Sequence, residues 1–511
     1  MSSVLDEVVA VEPAPDLLSV IASASPAFLL SLDVGTSGVR AALFDDRGRE
    51  IFGASSSTQR PVVAFSDLGV LDAEAIVAEV IETIDDLIAS GVEAQSVRFI
   101  AISCFWHSLI GVDKNRRPTT PLLSWADTRA AESATLLAQQ FDEHEVRRRT
   151  GCRFHASYWP AKLYWLKQEQ PNVFDNTHEW LGFSEYLCGQ LFDTTAISVS
   201  MASATGLFDQ RTCEWDSNFV QALGIPEQSL PKVALANDWP HLSTEFVDRW
   251  PALSEARLIT TVGDGAANNI GGGCSTKDRL ALMVGTSGAM RVVYAGNPPD
   301  QLPPELWSYR ANRSRVVVGG ALSDGGGLYR WLTNLMCLDD DPEVEKRLAA
   351  LEPDSHGLTI LPFWSGERST GWSAGARGAI LGLTQQTKPL EILRAAMEAV
   401  AYRFALIARA LESVTETTTI IATGNALRAS RVWLQILADV LGRRMHLVSV
   451  REASTRGAAL LALETLGKIE RLEEDSVTIE EIVEPDMSRH QRYLEGLARQ
   501  TRTYEAILRG H

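Results

Sequence analysis

The chain has 511 residues, 45% of them hydrophobic and 22% charged, and a formal net charge of −18 at pH 7. That length suits two units of about 200–250 residues each, with the composition of an ordinary soluble globular protein. The acidic balance argues against nucleic acid or an anionic membrane as main partner, because both demand a positive footprint, and no run of about eighteen apolar residues is present to span a bilayer.

Residues 1–25 contain Asp6, Glu7, Glu12 and Asp16 but no Lys or Arg. They read as an acidic, partly disordered extension rather than a secretory leader or transit peptide. Cys104, Cys152, Cys188, Cys213, Cys274 and Cys337 are scattered without a C-x-x-C pair. That usage fits a reducing, cytoplasmic setting, with small buried hydrophobes and no zinc site.

The first element is the apolar run Phe28 to Leu32, followed by Asp33-Val34-Gly35-Thr36-Ser37-Gly38 and a second apolar run to Phe44. This reads as a β-hairpin whose polar tip leaves backbone N–H groups and the Thr36 and Ser37 hydroxyls to face an anion. Asp45-Asp46-Arg47-Gly48 turns the chain into a third strand near Glu50 to Ala54. Ala73 to Ser90 is apolar at Ile76, Val80, Ile84 and Leu87, a helical spacing. Val97 to Cys104 is a buried strand opening into Phe105-Trp106-His107-Ser108. A polar residue at such a strand end is a ligand contact or a hydrogen-bonded structural histidine. Trp125, Asp127 and Arg129 supply an aromatic face, an acceptor and a planar donor, which sugar rings and hydroxyls require; a helix start with Asp127 as N-cap is the alternative. Helices are expected over Leu163 to Gln170 and Gly182 to Leu191, and a substrate-side loop over Thr194 to Thr205.

The second half repeats the opening. Leu258 to Val262 is a β-branched strand entering Gly263-Asp264-Gly265. A carboxylate there, flanked by glycines that let another molecule come close, suits a general base and equally a conformational turn. Val284-Gly285-Thr286-Ser287-Gly288 then restates Val34 to Gly38 between matching apolar runs, which implies two copies of a domain. Asp33 becomes Met283 in the second copy, so only the first tip adds a carboxylate suited to magnesium. Val316 to Gly320 enters Ser323-Asp324-Gly325-Gly326-Gly327 and a helix from Leu328 to Leu335, which reads as an anion cradle. Leu358 to Phe363 is a strand opening into Ser365-Gly366-Glu367-Arg368, and Leu390 to Leu411 is a core helix. Ile420 to Thr423 runs into Gly424-Asn425, and Ser430 precedes a helix from Val432 to Leu441.

No G-x-x-x-x-G-K-[ST] motif is present, and Asn268 stands where a dinucleotide fingerprint needs its third glycine. Glycine turns at strand ends in both halves, with one strand-tip carboxylate in each, suit phosphoryl transfer across a cleft whose closure excludes water.

As an ordered set from about residue 28 to 465, several motifs resemble the FGGY carbohydrate kinases of the actin/hexokinase-like ATPase superfamily. They are Asp33-Val-Gly-Thr-Ser, Gly263-Asp264-Gly, Val284-Gly-Thr-Ser-Gly, Ser365-Gly-Glu-Arg, Ala376-Arg377-Gly378, Gly424 through Asp439, and Arg456-Gly457-Ala458. The resemblance implies an α/β fold of two ribonuclease-H-like (actin-like ATPase) domains facing each other across a cleft. Residues 26–256 would mainly bind sugar and 257–511 mainly ATP. It further implies that Asp264 is the catalytic base and a metal-side group, that Asp33 faces Mg2+, and that Thr36 and Ser37 form the first phosphate loop. Gly285, Thr286 and Ser287 would form the second, Gly325, Gly326, Gly424, Asn425 and Ser430 would line the nucleotide, and Trp106, His107, Trp125, Asp127 and Arg129 would contact the sugar.

The family usually has Gln-Met-His-Gly where this chain reads Phe105-Trp106-His107-Ser108, and a small residue or Pro where Trp159 precedes Lys162. Gly285 through Arg291 and Gly366 through Trp372 look most like bacterial gluconokinases, with D-xylulokinases next. A gluconate carboxylate would want a cation, which Arg129 or Arg368 could supply. From another class, a catalytically dead sugar-binding scaffold would use the same clamshell; retention of both Asp33 and Asp264 speaks against it. Expected partners are ATP and a small sugar or sugar acid; a homodimer is compatible with the sequence, which does not fix the assembly.

Overall fold

The computed structural model describes residues 26–60, 70–91, 94–235, 237–338, 341, 343–416 and 418–509. The N-terminal stretch expected to be disordered lies outside the described residues. Both polar pentapeptides fold as hairpin tips. Strands β1 (Leu29–Gly35) and β2 (Gly38–Phe44) pair antiparallel through the Thr36-Ser37 link, and β3 (Glu50–Gln59) adds on the β2 side. Strands β4 (Phe99–Cys104) and β5 (Arg257–Gly263) extend the other side in parallel, giving the order β5-β4-β1-β2-β3. The sequence reading puts Leu258 to Val262 at the head of the second unit. Instead this strand pairs along Ile100 to Cys104 and forms an edge of the first sheet, since its apolar face finds its partner there.

The second sheet is built from β6 (Arg279–Val284), β7 (Gly288–Ala295), β8 (Trp307–Arg310), β9 (Arg315–Leu322), β10 (Thr419–Thr423), β11 (Met445–Val448) and β12 (Ile479–Val483). Its order is β8-β9-β7-β6-β10-β11-β12. Stripped of its two edge strands, it repeats the first sheet: a hairpin, an antiparallel third strand on one side and two parallel strands on the other. Asp33 and Met283 occupy equivalent positions, one residue before the Val-Gly of each tip.

Helix α1 (Ala73–Ala89), capped by the Asp72 carboxylate, packs on the hairpin side of the first sheet. Helix α2 (Asp264–Gly271) leaves the end of β5 directly. Helices α4 (Pro389–Leu411) and α5 (Arg431–Leu441) fill the core of the second lobe. The late helix α6 (Ala453–Thr465) returns to the first lobe, where Ala458 to Leu463 join its core against β1, β4 and β5. Ser31 on β1 ties it there, its hydroxyl donating to the Thr455 carbonyl at 2.7 Å. Helices α2 and α6 cross at two glycines: a Cβ on Gly271 would lie 1.8 Å from the Ala453 carbonyl oxygen, and one on Gly457 1.8 Å from that of Ala267.

Two local expectations change. The Thr194 to Thr205 segment contains a helix, Val199–Ser203, started by the Ser198 hydroxyl accepting the Met201 N–H at 3.1 Å. All six cysteines are unbonded, but Cys337 is exposed, in a turn just past the helix Gly326–Leu335, rather than buried with the others.

Candidate active site

The C-terminal ends of β1, β4 and β5 release Asp33, the Phe105-Trp106-His107 segment and Asp264 at one edge of the first sheet. There they meet the tip of β6–β7. Between the lobes lies a cavity, partly open to solvent, lined by Trp106, His107, Trp125, Asp264, Ser287, Arg291, Trp307, Tyr309 and Arg368 among others. The glycines around Asp264 are explained by its own neighbours rather than by an incoming molecule. A Cβ on Gly263 would sit 1.7 Å from the Trp106 indole, and one on Gly265 2.0 Å from an Arg291 guanidinium nitrogen. Only glycine lets both groups close on the backbone that carries the acid.

Asp264 accepts the Gly265 N–H at 2.7 Å. Burial raises its pKa, against the opposing pull of Arg291, the Gly265 N–H and Arg368. Asp33 is buried, accepts the Ser103 hydroxyl at 2.8 Å and faces Arg40 at 3.4 Å. Burial pushes its pKa up to about 6; Ser103 and Arg40 resist, while the charges of Asp264 and Glu452 add to the rise. Asp264 lies near enough for its charge to be felt at Asp33, and carboxylate oxygens are the donor type that magnesium takes.

His107 sits in the left-handed region at φ 68, buried, with Nδ1 2.8 Å from the Ala204 carbonyl. A carbonyl can only accept, so Nδ1 carries the proton and Nε2 is an acceptor. Burial and Arg368 hold the ring neutral. The loop is locked from below by Lys162, whose buried ammonium donates to the carbonyls of His107 at 2.6 Å, Ser124 at 2.8 Å and Leu123 at 3.3 Å. The Trp106 indole N–H donates to the Ser200 carbonyl at 3.2 Å, and its ring meets Tyr309 edge-on with centroids 5.1 Å apart.

The cavity thus collects Trp106, His107, Trp125, Asp264, Ser287 and Arg368 from the residues read in the sequence. Others lie elsewhere. Asp127 lines a smaller adjoining cavity that shares Trp125 and Arg368. Arg129 closes a fork on Asp127 (2.6 and 3.1 Å) and lies 4.8 Å over the Trp165 ring, so its charge is already spent. The Gly325–Gly327 stretch is not an open anion cradle. The N–H groups of Gly325 and Gly327 both donate to the Thr286 carbonyl, and that of Gly326 to Gly285, so the glycines lay the head of helix α3 (Gly326–Leu335) against the second tip. Ser430 is the N-cap of α5, accepting the Trp433 N–H at 3.1 Å. Gly424, at φ 98, lets its turn pass the Val284 carbonyl, where a Cβ would lie 2.4 Å away; Asn425 beyond it is exposed. Thr36, Ser37, Gly285 and Thr286 stand at the tips, and Arg60 braces the first by donating to the carbonyls of Gly35 at 2.9 Å and Thr36 at 3.0 Å. Arg291 was not among the residues chosen from sequence; the available signal was a lone cation inside the apolar run Ala289 to Tyr294.

Two topologically matched lobes with an acid at the cleft edge define a two-lobed phosphotransferase of the actin-like ATPase type. Residues 28–271 match the N-terminal domain, and residues 280–465 the C-terminal domain, of the FGGY family of carbohydrate kinases. The chain belongs to that family, and is a sugar kinase acting on an alcohol group. It is 29% identical over 459 residues to a gluconokinase of Bacillus subtilis, covering 87% of this chain and 88% of that one. A glycerol kinase of Rhizorhabdus wittichii is 28% identical over 462 residues, with 85% and 87% covered. Among solved structures, a gluconate kinase from Lactobacillus acidophilus superposes with a TM-score of 0.83 at 27% identity, covering 94% of this chain and 98% of that one. A ligand-bound xylulose kinase from the same organism gives the same figures. Among the described residues, no helix is long and apolar enough to cross a membrane.

Proposed function

We propose that the protein transfers the γ-phosphate of ATP to a hydroxyl of D-gluconate, forming 6-phosphogluconate. The observation that carries this reading is Asp264, a carboxylate of raised proton affinity at the inter-lobe cavity, between the aromatic wall of the first lobe and the tip of the second. A base so placed takes the proton of the attacking hydroxyl as the O–P bond forms. Trp106, His107 and Trp125 would orient the acceptor, His107 through Nε2. The tips at Thr36–Ser37 and Gly285–Ser287 would hold the phosphates. Asp33 and Asp264 would hold magnesium, which neutralises phosphate charge when bound. Gluconate is favoured by the gluconokinase relative; a ketopentose acceptor is the second reading, because the xylulose kinase superposes equally well.

The test is ADP release with magnesium-ATP and D-gluconate, D-xylulose, glycerol or no acceptor. Gluconate should give the highest turnover, and Asp264→Asn should lower it about a hundredfold or more while ADP binding persists. Turnover of Asp264→Asn near that of the unaltered chain would remove the base assignment, and preference for xylulose would replace the acceptor.

A further inference from the structure

We infer that Arg291 and Arg368 form a carboxylate clamp at the acceptor end of the cavity, so that the site selects anionic over neutral polyols; this rests on the gluconate reading and names its recognition element. The inference starts from unbalanced charge. Arg291 is 4% exposed on β7, and Gly265 and Gly319 both lack the Cβ atoms that would block its side chain. Its Nε is buried without an acceptor, as is that of Arg368. Among the described residues neither guanidinium forms a hydrogen bond or an ion pair. Arg368 instead lies 5.5 Å from the centre of the Trp125 ring.

Among the described residues of the cavity wall Asp264 is the sole carboxylate, while His107 is neutral and burial keeps Tyr309 protonated. Each cation is felt by Asp264, and Arg291, though pushed down to about 10 by burial, stays charged at neutral pH. Glu367, in the adjoining cavity, is taken up by Arg403 and by the Tyr504 hydroxyl at 2.7 Å. Two cations, Arg291 buried and Arg368 half-buried, thus face one acid of the cavity wall, which is costly for the buried one unless a ligand brings the missing charge. Planar guanidinium forks match a carboxylate in shape. Their placement beside Trp125 and the Trp307–Tyr309 stack puts that carboxylate among the aromatic faces suited to a sugar chain.

The experiment is calorimetric binding, without nucleotide, of C4–C6 aldonates including D-gluconate and of their neutral amides, which keep the hydroxyl pattern. The unaltered chain should bind at least one aldonate about ten- to a hundredfold more tightly than its amide. Arg291→Gln and Arg368→Gln should each erase most of that ratio with amide and ADP affinities within about twofold, and Arg291→Lys should restore part of it. Arg291→Gln should also melt no lower than the unaltered chain, since it removes an unpaired buried charge. Equal binding of acid and amide by the unaltered chain overturns the clamp whatever the variants do. So does a loss of ADP affinity in place of the ratio, which would assign the arginines to phosphate. Turnover separates the two readings: selective aldonate binding without gluconate phosphorylation keeps the clamp and removes gluconate as acceptor, and gluconate turnover without charge preference does the reverse.

Discussion

Replacing Gly457 by alanine tests whether the α2–α6 crossing positions Asp264, the proposed catalytic base. The new Cβ would stand 1.8 Å from the Ala267 carbonyl oxygen, whereas ordinary contact begins at 3.4 Å, so the helices must separate by about 1.6 Å. Alanine improves intrinsic helix propensity by about 1 kcal/mol. Overpacking against rigid backbone costs about 1–3 kcal/mol or more and should win, lowering the melting temperature. The larger effect is catalytic. Helix α2 begins at Asp264, so a shift at Ala267 is carried one turn back to the carboxylate, and a misplacement of about 1 Å commonly costs about a hundredfold in rate. Steady-state kinetics with the best acceptor should show kcat reduced by that order, with little change in nucleotide affinity. A variant with kcat within about threefold of the unaltered chain would refute the coupling.

Two further outcomes are expected. Because Ser103 stabilises the ionised form of Asp33, whose pKa is about 6, Ser103→Ala should move the acid limb of kcat/KM to higher pH; an unmoved limb, or one shifted to lower pH, would detach Asp33 from the reaction. The sign for stability is fixed by the same shift: the folded state holds this proton more tightly than the unfolded chain, so the Asp33 contribution falls as pH rises through about 6. Lys162→Met strands the carbonyls of His107, Leu123 and Ser124, and should cost on the order of 3 kcal/mol in a denaturant titration and raise the acceptor KM; unchanged stability would show that the ammonium does not hold the loop.

The paired tips, the strand-end acid at Asp264 and the two-lobed fold were legible because each depends on local patterns: apolar runs broken by small residues, written twice. What was not legible depends on partners distant in sequence. Nothing near Gly325 says that its N–H, with that of Gly327, is claimed by the Thr286 carbonyl. Asp127 and Arg129 resembled free sugar contacts because their mutual fork cannot be seen in composition. Ser430 advertised a hydroxyl, yet helix geometry made it a cap. Arg291 carried the opposite sign of surprise: a buried charge whose side chain finds no hydrogen-bond partner among the described residues.

The return of α6 to the first lobe also bears on how the chain is made. Its residues Ala458 to Leu463 complete the packing over β1 and β4, strands that emerge from the ribosome hundreds of residues earlier. Until that helix is synthesised, the part of the first sheet that it packs against is covered only by α2 and its neighbours, without the Ala458 to Leu463 contribution to the core. The nascent first lobe must therefore wait for almost the whole second lobe before its core is complete, so a stop codon between the lobes should yield a fragment that depends on chaperones or aggregates.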